Sequence, residues 1–160
     1  MSFLVSTGQL TINQMNTAYL ALADFFDVPS VKYSCEESPR KIMESLTDSD
    51  QSVILYGDPG VFHKECGSWI EALGSWKKTT ILIVSPVFKS GVIPGSAAAY
   101  VSMCKEFCVP LLGVIQLGGV WHPMERKLDG LPWCGWIRQE RDGELMSSKK
   151  GGKIDIQEVI

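Results

Sequence analysis

The side chains able to do chemistry in this sequence gather in four stretches rich in Gly, Pro, Ser, Thr and Asn: Thr7 to Asn16, Gly57 to Cys66, Ser85 to Gly95, and Gln116 to His122. Each follows a short apolar run that reads as a β-strand, and parallel sheets bind ligands beyond the carboxyl ends of their strands. Turn chemistry alone accounts for such a composition equally well. The first stretch ends where an amphipathic helix begins, so backbone N–H groups and a helix N-terminus there are able to hold an anion. His122, next to Trp121 and near Glu125, is a weak candidate for general acid–base work. Cys104 and Cys108 stand one helical turn apart, but with His63, Glu65, Cys66 and His122 they match no zinc spacing. Buried thiols are the simpler reading. No serine–histidine–acid set can be assembled from spacing, so no metal site and no nucleophilic triad is expected.

The bulk composition narrows the function classes. At 160 residues the chain is one domain long and able to bury a core of its own. Hydrophobic residues make up 45% and charged residues 21%, which is the balance of a folded rather than a disordered chain. The formal net charge of −3 argues against a nucleic-acid binder. No apolar run is long enough to span a membrane, and no charged start followed by an apolar stretch suggests a signal peptide. Five cysteines, an odd number scattered through apolar segments, read as reduced thiols and point to the cytoplasm.

The elements that would position the four loops follow from periodicity. Phe3 to Ser6 reads as a first strand. Met15, Ala18, Tyr19, Leu22, Ala23 and Phe26 recur at helical spacing, with Asn13 as the expected N-cap. Val31 to Tyr33 is a second strand. Ser38-Pro39 opens a helix whose apolar face is Ile42, Met43 and Leu46. Val53 to Tyr56 is a third strand. Ser68 and Glu71 fit a capping box, with Trp69, Ile70, Leu73 and Trp76 expected inward. Ile81 to Val84 and Leu111 to Ile115 are continuous apolar runs, the mark of strands buried on both faces. A helix spans Ala98 to Phe107 between them, and Pro132 to Ile137 is a last short strand. Arg141-Asp142-Gly143-Glu144 carries a turn signal, and residues 147 to 153 read as a polar tail. Ile154, Ile156 and Val159 suggest a terminal strand. Strands alternating with helices predict a three-layer α/β domain over residues 1–146, mostly parallel, with helices on both faces, followed by a tail over 147–160.

Val5 to Asn16, followed by an Ala/Leu-rich helix, resembles the opening of a dethiobiotin synthetase, a P-loop NTPase-like fold that begins with a strand, a Thr-Gly and a Walker A loop. Gly8 and Thr11 fall on family positions. Gln14 stands on the glycine, Met15 on the lysine and Asn16 on the Ser/Thr. The lysine reaches the β/γ-phosphates and the hydroxyl holds Mg²⁺, and a methionine performs no such task. Ile54 to Gly60 resembles the family's third strand and acidic turn, and also the Asp-x-Pro-Gly of related partitioning ATPases. The resemblance makes Asp58 the Mg²⁺-side carboxylate, while Tyr56 replaces a glutamate. Pro110 to Gln116 resembles the strand that ends in a base-reading asparagine, with Gln116 or Leu117 in its place. Met124 to Ile137 resembles the family's next helix–strand unit. The resemblance thus implies a degenerate relative that binds a nucleotide or another anion through Gly8, Gln9, Thr11, Asn13, Gln14, Met15, Asn16, Asp58 and Gln116. It would do so with little or no catalysis, acting through binding or regulation.

Ser85-Pro86-Val87-Phe88-Lys89, Pro94-Gly95 and Gly118-Gly119 are similar to flavodoxin-like NADPH-dependent FMN reductases. That likeness implies a flavodoxin-like fold binding FMN, with Ser6-Thr7-Gly8 as its phosphate loop and Phe88 and Trp121 beside the ring. A third expectation is an interaction module without a small ligand: a protein partner or a homo-oligomer, with some of the five tryptophans on the contact face.

Overall fold

The computed structural model describes residues 1–8, 10–22, 29–46 and 51–138, and the backbone of 154–155. Strands and helices alternate: β1 (Ser2–Ser6), α1 (Ile12–Ala21), β2 (Ser30–Ser34), α2 (Pro39–Ser45), β3 (Ser52–Tyr56), α3 (Trp69–Ser75), β4 (Thr79–Val84), α4 (Ser96–Glu106), β5 (Leu111–Leu117), α5 (Pro123–Leu128), β6 (Trp133–Ile137) and β7 (Ile154–Asp155). One sheet holds all seven strands in the order β2-β3-β1-β4-β5-β6-β7. The first six are parallel, and β7 adds antiparallel to β6. The expected three-layer, mostly parallel α/β architecture is therefore the one observed. Its order differs from the 2-1-3-4-5 of flavodoxin-like sheets.

The alternation of side chains along each strand divides the core in two. Phe3, Val5, Val53, Leu55, Leu82 and Val84 point to one face, where Ile42 and Met43 of α2, Ile70 and Leu73 of α3 and Tyr100 and Cys104 of α4 cover them. Leu4, Ile54, Ile83, Ile115 and Leu117 point to the other, against Met15 and Ala18 of α1. Strands β1, β3 and β4 are buried on both faces, which is why they read as unbroken apolar runs.

Two local expectations are corrected. The N-cap of α1 is Thr11, two residues before Asn13, because Thr11 and Gln14 form a reciprocal capping box. Trp76 is not inward. Helix α3 ends at Ser75, and Trp76 caps it while 39% exposed. The box at Ser68 and Glu71 forms as its spacing predicts. Ala23 and Phe26, the turn signal at 141–144, the tail at 147–153, Ile156 and Val159 lie outside the described residues.

Candidate functional site

The loop after β1 is short and closed on itself. The buried Ser6 hydroxyl accepts hydrogen bonds from Gly8 N (3.1 Å) and Leu10 N (3.3 Å). Gln14 Oε1 accepts from Thr11 N (2.9 Å), and Gln14 N donates to Thr11 Oγ1 (3.3 Å). Met15 N donates to Thr11 O (3.0 Å). A phosphate cradle needs such N–H groups free and converging; here the protein's own oxygens take them. Helix α1 begins at Ile12, so Asn13 and Gln14 lie in its first turn rather than in a loop. Met15 is fully buried in the α1-side core with Leu4, Leu10 and Ile83. Asn13 is exposed and its carbonyl accepts from Thr17 Oγ1, while Asn16 is half-buried. Gln9 lies outside the described residues.

Asp58, at the end of β3, is exposed. Its Oδ1 accepts from Gly60 N (2.8 Å) and from the hydroxyl of Tyr100, which α4 carries across the crevice. Gly8 has a φ of +95°, and a Cβ there would lie 3.0 Å from Tyr100 Oη. The fold thus brings Gly8 and Asp58 together with Tyr100 between them. Burial first, then the hydrogen bond to Asp58, pushes the Tyr100 hydroxyl far above its ordinary pKa. Burial, then the charge of Asp58, does the same to the Cys35 thiol. Tyr100 is therefore a donor to the carboxylate rather than a base, and Cys35 is an inert thiol.

Gln116 sits elsewhere, at the end of β5, fully buried. Its Nε2 donates to Gly118 O (2.8 Å) and Val120 O (3.1 Å), and its Oε1 accepts from Arg126 Nε (3.2 Å). Both faces of a base-reading amide are thereby spent on the protein. Arg126 is itself buried. It donates to Gly91 O (2.6 Å), pairs with Asp129 (3.4 Å) and lies over the rings of Trp121 and Trp133. Asp129 also accepts from Trp133 Nε1 (2.9 Å). Gly91 has a φ of +90°, and a Cβ there would lie 2.1 Å from Val120 O, so this corner closes only around a glycine.

Both histidines are braces. His63 Nε2 lies 2.9 Å from Cys35 O, and His122 Nε2 lies 2.7 Å from Ser90 O. A carbonyl only accepts, so Nε2 carries the proton in each. His122 is thereby placed by the 85–95 loop and not beside Asp58. Cys104 is buried and Cys108 exposed. Among the described residues no three His, Cys, Asp or Glu side chains are placed to hold a metal ion, and no helix is long and apolar enough to cross a membrane. Two open hollows, of about 350 and 310 Å³, lie against Arg40, Cys66 and Trp76 and against Ile93, Ala98 and Leu131; neither is lined by the first loop.

Tyr100 and Arg126 are the structural residues that sequence reasoning missed, and Ser6, expected only in a flavin phosphate loop, acts instead as the acceptor that closes the turn. Ser6 followed by Thr-Gly and Thr11-x-x-Gln14 were visible as turn and cap signals. Tyr100 carries no local signal, its partner lying 42 residues away, and the Arg126–Asp129 spacing reads as an ordinary surface pair, while Gly91, 35 residues away, is reached only through the fold. No family model matches this sequence, and no curated protein is similar to it.

Proposed function

We propose that this chain is a non-catalytic binding or regulatory domain on a nucleotide-binding-type α/β frame, in which the former phosphate loop serves as a structural turn. The observation that carries the reading is the first loop: the N–H groups of Gly8, Leu10, Thr11 and Gln14 are bonded internally. Met15, at the position of the lysine, is fully buried. The resemblance to dethiobiotin synthetases supplies the frame, and the losses at Met15, Asn16, Tyr56 and Gln116 all remove groups that handle nucleotide. The flavin reading has less support, since the strand order differs and Trp121 is engaged with Trp133, 5.6 Å between ring centroids. Five free cysteines fit a reducing compartment, and we place the domain in the cytoplasm.

Calorimetric titration of the purified chain with ATP or ADP and Mg²⁺ tests the reading. The expected result is no binding heat. Saturable binding competed by inorganic phosphate would contradict it.

A further inference from the structure

The helix after β1 and the helices after its two neighbours leave the sheet on opposite faces. Helix α1 covers the face of Leu4 and Ile83, whereas α3, after β3, and α4, after β4, cover the face of Phe3 and Leu82. The carboxyl end of β1 is therefore a switch point, where open α/β sheets hold a ligand in the crevice between diverging loops.

In this protein a side chain of its own fills that crevice. Tyr100, in the second turn of α4, inserts its ring between two glycines from different loops. Its Cε2 lies 3.6 Å from where a Cβ on Gly8 would stand, and its Cε1 lies 3.6 Å from where a Cβ on Gly60 would stand. Met103, one turn further along α4, closes the Gly60 side, with Cε 3.7 Å from the same point. The φ of +95° at Gly8 keeps larger residues from taking the space. At the far end the ring hydroxyl donates to Asp58 Oδ1, an oxygen that Gly60 N already orients at 2.8 Å. Tyr100 is buried while Asp58 stands at the rim. Two bare backbone walls on either edge of a ring, and a fixed carboxylate for its hydroxyl, are what recognition of a separate phenol requires. A ring tethered to α4 is present at a high effective concentration, so free ligand does not displace it.

We propose that this crevice is a ring-binding site closed in cis, in which Tyr100 is an autoinhibitory contact standing where a small phenol binds once the tyrosine is removed. The inference goes beyond the binding-domain reading and stands whether or not nucleotide binds. Titration of the full-length Tyr100→Ala variant with p-cresol, followed by the backbone amide resonances of Gly8 and Gly60, tests it. Both resonances should shift saturably, with a Kd on the order of 1 mM for so small a ligand. Toluene, which has the same shape without the hydroxyl, should bind about 5-fold more weakly, the discrimination expected of one hydrogen bond at a solvated carboxylate. The unaltered chain and Tyr100→Phe, which keep the ring in place, should not respond. If the cavity unfolds Tyr100→Ala, p-cresol should raise its thermal midpoint, and a midpoint that ignores p-cresol would overturn the proposal. So would a folded variant whose Gly8 and Gly60 amides stay unmoved, toluene binding as tightly as p-cresol, or an unaltered chain that responds as the variant does.

Discussion

The ends of β1 and β5 lie on the same edge of one sheet, and they differ in what their polar groups have become. At β5, Gln116, Arg126 and Asp129 form a sealed network under Trp121 and Trp133, with the cation almost fully covered. At β1, the loop is closed by a serine and a capping box, yet Asp58 beside it keeps an exposed carboxylate with Tyr100 bonded to one oxygen. The first region spends its charge on rigidity. The second bonds its own amides but remains at the surface. A shared fold position therefore says little about shared chemistry; what decides is whether each donor and acceptor already has a partner.

The largest expected effect comes from forcing the two ends to behave alike. Met15→Lys puts an ammonium where α1 meets Leu4, Leu10 and Ile83, and it should destabilise the fold by about 3–5 kcal/mol without creating nucleotide affinity. A denaturant midpoint reads the first part and calorimetry the second. Next, Arg126→Ala should cost about 2–3 kcal/mol, because it orphans Gln116 Oε1, Gly91 O and Asp129 together. Arg126→Lys should recover only part of that loss, since lysine lacks the guanidinium fork and its stacking.

These two residues mark how far the sequence was legible. Strands β1, β3 and β4 showed as apolar runs because two covered faces favour apolar side chains along most of each strand; β5 read the same way, but it starts at the surface, with Leu112 exposed. Thr11 and Gln14 stand at capping-box spacing in the sequence, whereas Asn13 fits an N-cap by residue type alone, next to an apolar periodicity that first shows at Met15. Trp76 was assigned inward by spacing alone, which does not say where a helix stops. Arg126 was not legible at all: between Glu125 and Lys127 it looks like a surface charge, and its partners Gly91 and Gln116 reach it only through the fold.

Smaller effects sharpen the contrast. Burial raises the thiols of Cys104 and Cys134 from an ordinary 9.0 to about 11, and lifts Cys35 and Tyr100 further. Each folded-state pKa lies above its unfolded value. The stability they contribute is therefore complete below about pH 9 and is lost as the pH rises through about 11. The thermal midpoint should fall steadily over that window. Tyr100→Phe should cost only about 1 kcal/mol, because the exposed Asp58 turns to water when its phenol partner goes.

With Gly8, Leu10, Thr11 and Gln14 N–H bonded internally, we expect the amides after β1 to be unavailable to an anion. Backbone amide shifts of Gly8, Leu10, Thr11 and Gln14, followed by ¹⁵N-resolved NMR during titration with Mg²⁺-ATP, test it directly. Unmoved resonances at millimolar nucleotide are the predicted result. Saturable, concerted shifts of these four amides would contradict it.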